Sequence, residues 1–156
     1  MNVKRPVTPE IIIGDQPSEE DLLECKYEGY AGVVNLRNDR EPDQPLSTKA
    51  EGDKVRALGM EYLHYGVGGA PLADPGVAGV CDFINRHTGA GGKVLVHCRK
   101  GGRAMALVLI QQARAHGWTA AEAIDKGRAL GLQVDGQLKT MVENYLTRQS
   151  RNQEGL

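Results

Sequence analysis

A cysteine, two adjacent glycines and an arginine lie close together in one short segment of this chain. Cys98 follows the apolar run at residues 93–97, and Gly101, Gly102 and Arg103 come soon after it. A buried strand that ends at a cysteine delivers the thiol to the edge of a sheet, and glycines let the next backbone amides turn inward. A helix that begins there adds unpaired N–H groups and the positive end of its dipole. The pattern predicts a cradle for a tetrahedral anion.

The same surroundings should make the thiol of Cys98 reactive. Arg99, Lys100 and Arg103 place three cations around it. A thiol at a helix N-terminus beside cations has its pKa lowered from about 8.5 to about 3.5–7.5. A thiolate beside an anion cradle is suited to covalent transfer of an anionic group, and the planar guanidinium of Arg103 can hold two anionic oxygens. The alternative is a tight strand-to-helix turn in which Cys98 is only a small buried residue.

His97 precedes the cysteine directly and is predicted to support it rather than to react. Its expected role is to hydrogen-bond the backbone around the loop and so to fix the position of Cys98. The two other cysteines, Cys25 and Cys81, fall within predicted helices and are interpreted as ordinary packed thiols. Three cysteines without a Cys-x-x-Cys pair argue against a disulfide scaffold and against a cysteine zinc site.

Length and charge limit the function classes. The chain has 156 residues, enough for one domain with a single core, and its 19 basic and 20 acidic side chains give a formal net charge of −1. A general electrostatic attraction to nucleic acid is therefore not expected, so any bound anion must be held by a local site. No apolar run is long enough for a secretory signal or a membrane span. We expect a cytoplasmic protein without membrane insertion.

Short strands and helices alternate along the chain. Strands are predicted at residues 11–13, 31–36, 60–65 and 93–97. Helices are predicted at residues 18–28, 47–58, 75–87, 103–116, 119–131 and 136–146. The interpretation is one domain over residues 1–146, followed by a polar, frayed tail at residues 147–156.

This alternation predicts an α/β fold, with a mostly parallel central sheet of four to five strands flanked by helices. In such sheets, ligands bind beyond the carboxyl ends of the strands. The loops after Leu36, Tyr65 and His97 should therefore meet at one edge and form the site.

The segment His97–Arg103 resembles the anion-binding signature loop of cysteine-dependent phosphatases of the dual-specificity type. The similarity covers about residues 6–146, and it points to the bacterial dual-specificity-like tyrosine phosphatases, a group that includes the phosphatase-like domain of beta-lactamase hydrolase-like proteins. The other segments that carry it are Gly14–Glu19, Ala31–Arg37, Leu58–Tyr62 and Ala120–Gly131.

The resemblance implies a phosphatase-like fold and a metal-independent reaction without a cofactor. Cys98 would attack phosphorus and form a phosphocysteine, and Arg103 would clasp the phosphoryl oxygens. The phosphate cradle would consist of Arg99, Lys100, Gly101, Gly102, Arg103 and Ala104, largely through their backbone amides. The substrate would be a phosphorylated protein or a small-molecule phosphate monoester.

The resemblance also implies an aspartate that protonates the leaving oxygen. Asp74, in a loop rich in glycine and proline, is the first candidate, although its position before Pro75 is equally suited to capping a helix. Asp39, in the loop after the strand at residues 31–36, is the second candidate, with a solvated turn residue as the alternative. Asp82 lies within a predicted helix and is a weak candidate.

Two departures from the phosphatase pattern keep other functions open. Four residues separate Cys98 from Arg103, whereas most tyrosine phosphatases place five there and single-domain rhodaneses place four. A rhodanese-like sulfurtransferase carrying a persulfide on Cys98 is therefore one alternative, and a non-catalytic phosphate-binding module is another. Ala104 stands where many relatives have serine or threonine, which predicts slow breakdown of a phosphoenzyme.

Overall fold

The computed structural model describes residues 1–154, and side-chain environments through Arg151. Five strands form one sheet in the order β1-β2-β5-β3-β4. They are β1 (Lys4–Pro6), β2 (Ile11–Gly14), β3 (Tyr30–Asn35), β4 (Glu61–His64) and β5 (Lys93–His97). Only β1 is antiparallel to its neighbour, which confirms the predicted mostly parallel sheet. β1 was not predicted because its three residues are all exposed and carry no apolar pattern.

Six helices cover the sheet: α1 (Glu19–Tyr27), α2 (Thr48–Ala57), α3 (Gly76–Gly89), α4 (Gly102–His116), α5 (Ala120–Ala129) and α6 (Gly136–Glu154). The side chains of Ser18, Ser47 and Thr119 accept backbone N–H groups at the starts of α1, α2 and α5. These caps explain why the starts of the three helices could be read from the sequence.

The C-terminal boundary differs from the prediction. Helix α6 continues past Leu146 to Glu154, so a frayed tail from Thr147 is wrong for the residues described, and residues 155–156 lie outside them. Arg148 donates to the carbonyl of Leu72, and Gln149 donates to the Asp74 carboxylate at 2.8 Å. These contacts hold the polar end of α6 against the loop that precedes α3.

Alternate residues of the central strands face opposite sides of the sheet, as the two-residue repeat of a strand requires. On one side, Ile12, Val33 and Leu95 pack with residues of α1 and α2. On the other side lies the larger apolar cluster, which includes the remaining helices and the strand residues Ile11, Ile13, Val34, Val94 and Val96. Burial on both faces explains the continuous apolar runs of these strands.

Strand β5 lies between β2 and β3, so its carboxyl end is central at the edge where the site was predicted. Arg103 from the loop and helix after β5 donates to the carbonyl of Leu36 at 3.4 Å and to that of Val67 at 3.0 Å. The loops after β3, β4 and β5 therefore meet, as parallel topology predicts. Within residues 1–154, no helix has the length and apolar character needed to cross a membrane.

Candidate active site

Cys98 lies directly after β5, at the base of the loop that leads into α4, and only 1% of its surface is exposed. Its Sγ accepts the backbone N–H of Gly101 at 3.0 Å. Gly101 has a φ of +103°, a conformation that strains any residue with a Cβ. Glycine at this position therefore lets the chain fold back so that an amide points at the sulfur.

Arg103, in the first turn of α4, is held by a carboxylate that the sequence analysis did not single out. Its Nη1 and Nη2 donate to the two carboxylate oxygens of Glu41, each at 2.8 Å. Arg37 Nε and the backbone N–H of Asn38 also donate to this carboxylate, at 3.1 and 2.7 Å. Such a bidentate pair fixes the plane of the guanidinium.

The electrostatics of this pair favour the charged forms of both groups. The hydrogen bonds from Arg103 are the largest cause that holds the pKa of Glu41 down to about 2. The Glu41 hydrogen bond in turn raises the pKa of Arg103, and the charge of Cys98 contributes in the same direction. Glu41 is therefore an acceptor at neutral pH and is not suited to donate a proton to a leaving group.

Replacing Glu41 by glutamine should change how stability depends on acid. Because its folded pKa is depressed from 4.5 to about 2, ionised Glu41 stabilises the folded state fully above pH about 4.5, and this contribution is lost as pH falls toward 2. Urea unfolding of Glu41→Gln should therefore show lower stability at neutral pH and a shallower decline between pH about 4.5 and 2. If the free energy of unfolding fell with pH in the same way for the wild type and Glu41→Gln, the assigned ion pair would be wrong.

The remaining residues of the predicted cradle line the same turn. Arg99 donates to the Asp43 carboxylate at 2.9 Å, which lowers the pKa of Asp43, whereas Lys100 is exposed. Ala104 is buried in the first turn of α4, where backbone N–H groups have no partner within the helix. The loop thus combines the inward N–H of Gly101, the unpaired amides at the start of α4 and the half-buried guanidinium of Arg103, a combination that can bind a tetrahedral anion.

His97 is buried, and its Nε2 lies 2.7 Å from Oε2 of Glu51 in α2. Its Nδ1 lies 3.5 Å from the carbonyl oxygen of Cys98, so the ring contacts the backbone of the loop. Glu51 itself is fully buried. A glutamate in the first turn of a polar helix gives no sign of this in the sequence, because its burial depends on how α2 packs on the sheet.

The structure does not bring the candidate acids into hydrogen bonds with the loop at residues 98–103, among the residues described. Oδ1 of Asp74 accepts the Tyr145 hydroxyl at 2.9 Å and the N–H of Ala78 at 3.0 Å, so Asp74 binds the first turn of α3 from the residue before its N-cap, Pro75. Asp39 accepts the N–H and the hydroxyl of Thr48 at 2.8 and 3.0 Å and braces the start of α2. Asp82 lies within α3.

The other two cysteines, Cys25 and Cys81, are free and buried. Burial raises the pKa of each thiol to about 11, so both stay protonated and unreactive at neutral pH. Over the described residues, no group of three or more His, Cys, Asp or Glu side chains is arranged to hold a metal ion.

Residues 4–115 match the family described as beta-lactamase hydrolase-like protein, phosphatase-like domain, and this segment includes both strands beside β5, the cysteine loop and nearly all of α4. The chain belongs to this phosphatase-like family. A beta-lactamase hydrolase-like protein from Xylella fastidiosa is 30% identical over 107 residues, which are 68% of this chain and 24% of that protein. The chain thus spans about a quarter of the length of such relatives.

Two further proteins extend the similarity to the wider phosphatase fold. Human dual specificity protein phosphatase 26 is 32% identical over 124 residues, covering 77% of this chain and 56% of that protein. The crystal structure of Tk-PTP in the active form superposes with a TM-score of 0.73 at 23% identity, over 92% of this chain and 95% of that one. The fold of this phosphatase-like domain is therefore that of the protein tyrosine phosphatases.

Proposed function

We propose that this phosphatase-like domain hydrolyses phosphate monoesters through a cysteinyl-phosphate intermediate on Cys98, without a metal ion. The observation that carries the proposal is that Cys98 and Arg103 lie at the two ends of one loop, between β5 and the first turn of α4. The sulfur accepts an amide N–H within the loop, while Glu41 holds the guanidinium of Arg103 in one plane beside it. Membership of a phosphatase-like family supports the same reaction.

The proposed chemistry has two steps. The Cys98 thiolate attacks phosphorus, a sulfur–phosphorus bond forms, and the bond to the leaving oxygen breaks with its electron pair on that oxygen, which takes up a proton. Water then attacks phosphorus, the sulfur–phosphorus bond breaks, and inorganic phosphate leaves as the thiolate is restored. Arg103 and the loop amides stabilise the charge on the phosphoryl oxygens in both steps.

Phosphorylated proteins of the tyrosine or dual-specificity kind and small phosphate monoesters are the proposed substrates. The similarity to human dual specificity protein phosphatase 26 supports this range. The cations of Arg99 and Lys100 at the loop would favour substrates with additional negative charge.

The proposal is tested by two assays on one preparation of the protein. One follows p-nitrophenyl phosphate cleavage in EDTA, and the other follows thiocyanate formation from thiosulfate and cyanide. We expect nitrophenol release that survives EDTA and depends on Cys98. Thiocyanate formation without nitrophenol release would instead assign sulfurtransfer, which the four-residue spacing between Cys98 and Arg103 favours. No product in either assay would assign a phosphate-binding module.

Asp74 is the proposed general acid, although this requires its carboxylate to exchange contacts with Tyr145 and Gln149. Asp74→Asn should lower kcat/KM for phenyl phosphate by about 10²–10⁴-fold and should affect kcat/KM for p-nitrophenyl phosphate much less, because nitrophenolate leaves without a proton. Tyr145→Phe is the matched control, since it removes one Asp74 contact and keeps the carboxyl group. If Asp74→Asn and Tyr145→Phe both lost only a little activity, and the same amount on each substrate, Asp74 would have a structural role only.

A further inference from the structure

A continuous chain of side-chain hydrogen bonds links the two residues that flank the reactive loop. On the Arg103 side, Glu41 accepts from Arg103 and also from Nε of Arg37 at 3.1 Å. Nη1 of Arg37 donates to Oε1 of Gln16 at 2.7 Å, and Nε2 of Gln16 donates to Oε1 of Glu51 at 3.0 Å. The other oxygen of Glu51 reaches His97 at 2.7 Å.

The side chains in the middle of this series of hydrogen bonds are fixed in one arrangement. Arg37 and Glu51 are both fully buried, and buried charges are tolerated only when hydrogen bonds satisfy them. The side chain of Gln16 joins them, with its amide oxygen toward the cation and its amide nitrogen toward the carboxylate. A glutamine can satisfy both neighbours at once because it carries a donor and an acceptor at one end.

We propose that Gln16 and Glu51 are positioning residues that couple the nucleophile to the phosphate clamp. Glu51 orients His97, and the His97 ring contacts the carbonyl of Cys98, while Glu41 orients Arg103 at the other end of the loop. Gln16 fixes the position of Glu51 and His97 relative to Glu41 and Arg103, so that the sulfur and the guanidinium face the same bound phosphate. This inference rests on the proposed function, since it assigns Cys98 as the nucleophile and Arg103 as the clamp.

Gln16 makes no described hydrogen bond to Cys98 or Arg103. A substitution of Gln16 therefore tests whether the two residues are coupled, without removing a group that takes part in the reaction. Replacement by methionine keeps the side-chain length but removes both hydrogen-bonding groups. One oxygen of the Glu51 carboxylate and one N–H of Arg37 then lose this partner in a buried setting, and both side chains must shift to recover hydrogen bonds. The shift reaches His97 through Glu51 and reaches Arg103 through Glu41.

The test uses two measurements that need no turnover. The rate of alkylation by iodoacetamide at neutral pH reports on Cys98, because Cys25 and Cys81 stay protonated. Calorimetric binding of inorganic phosphate reports on the clamp. For Gln16→Met we expect both the alkylation rate and the phosphate affinity to fall about fivefold, the factor for the net loss of about one hydrogen bond. The kcat for p-nitrophenyl phosphate should fall more than KM changes.

Glu61→Gln is the matched control, since Glu61 pairs with Arg86 at 2.7 Å on the outer strand β4, away from the loop. It should leave both measurements unchanged. Combining Gln16→Met with Glu41→Gln should cost less phosphate affinity than the product of the single effects, because both variants interrupt one chain. Should Gln16→Met fail to fold, Glu51→Gln carries the same two measurements with the same expected losses.

A folded Gln16→Met protein in which only one measurement, or neither, changes by more than about twofold would overturn the coupling. If the loss of phosphate affinity in the Gln16→Met and Glu41→Gln double variant equalled the product of the two single losses, the coupling would be overturned as well. Failure of the proposed function looks different. In that case wild-type protein shows no Cys98-dependent turnover, while alkylation and phosphate binding still report whether the two ends of the loop are linked.

Discussion

Cys98→Ser should lower kcat for p-nitrophenyl phosphate by at least about 10⁴-fold, because an alcohol at this position is a far weaker nucleophile than a thiolate. The serine hydroxyl is smaller than the thiol and can still accept the N–H that Gly101 now donates to Sγ at 3.0 Å. The loop should keep its shape, so phosphate binding by calorimetry should survive while steady-state turnover disappears.

Cys81→Ser is the control for the cysteine substitution. Cys81 is equally buried, but it lies on α3 and packs in the core, away from the loop. We expect some loss of thermal stability from placing a hydroxyl there and no loss of kcat in the folded protein. Equal loss of turnover in both variants would mean that Cys98 matters for folding alone.

Arg103→Ala should lower kcat/KM for p-nitrophenyl phosphate by about 10³-fold, with most of the loss in kcat. Charge develops on the phosphoryl oxygens in the transition state, and groups that already point there stabilise it strongly. The variant also leaves the Glu41 carboxylate without its bidentate partner, so Glu41 would repel an incoming phosphate. The double variant Arg103→Ala with Glu41→Gln should therefore bind phosphate better than Arg103→Ala alone.

Arg86→Ala is a matched control for the arginine. Arg86 also makes an ion pair with a glutamate, Glu61, at 2.7 Å, but it lies on α3 and is mostly exposed. Steady-state kinetics should show no loss for this variant. If Arg103→Ala retained wild-type kcat/KM, the assignment of Arg103 as the phosphate clamp would be wrong.

The sequence was enough to predict the sheet and the loop that carries the chemistry. Valine-rich runs identified β3 and β5, and capping residues identified the starts of three helices, because these features depend on neighbours along the chain. The convergence of three loops at one edge follows from parallel topology and is confirmed by the contacts of Arg103 with Leu36 and Val67.

The partners of the loop could not be predicted in the same way. Glu41 and Gln16 lie in polar segments that look like ordinary solvated loops, and Glu51 lies in a helix with several other charges. Their roles depend on which segments meet in three dimensions. A usable clue exists only for Glu41, a carboxylate four residues after Arg37 in a loop predicted to open at the same edge as Arg103.

The assignment of Asp74 shows the opposite difficulty. Its position before Pro75 predicts a helix cap, and the structure shows that Asp74 accepts the N–H of Ala78. Its contacts with Tyr145 and Gln149 depend on α6 continuing beyond Leu146. Polar residues at the end of a chain gave no apolar pattern from which this continuation could be predicted.

The most direct test of the account is to trap the phosphoryl group on sulfur. Wild-type protein is mixed with p-nitrophenyl phosphate, quenched in acid during turnover and digested, and the peptide containing Cys98 is sequenced by mass spectrometry. Because Ala104 replaces the serine or threonine expected to help the cysteine leave, the intermediate should accumulate. We predict one phosphoryl group on Cys98 and none in Cys98→Ser. Nitrophenol release with an unmodified Cys98, or with phosphate on His97, would contradict the account.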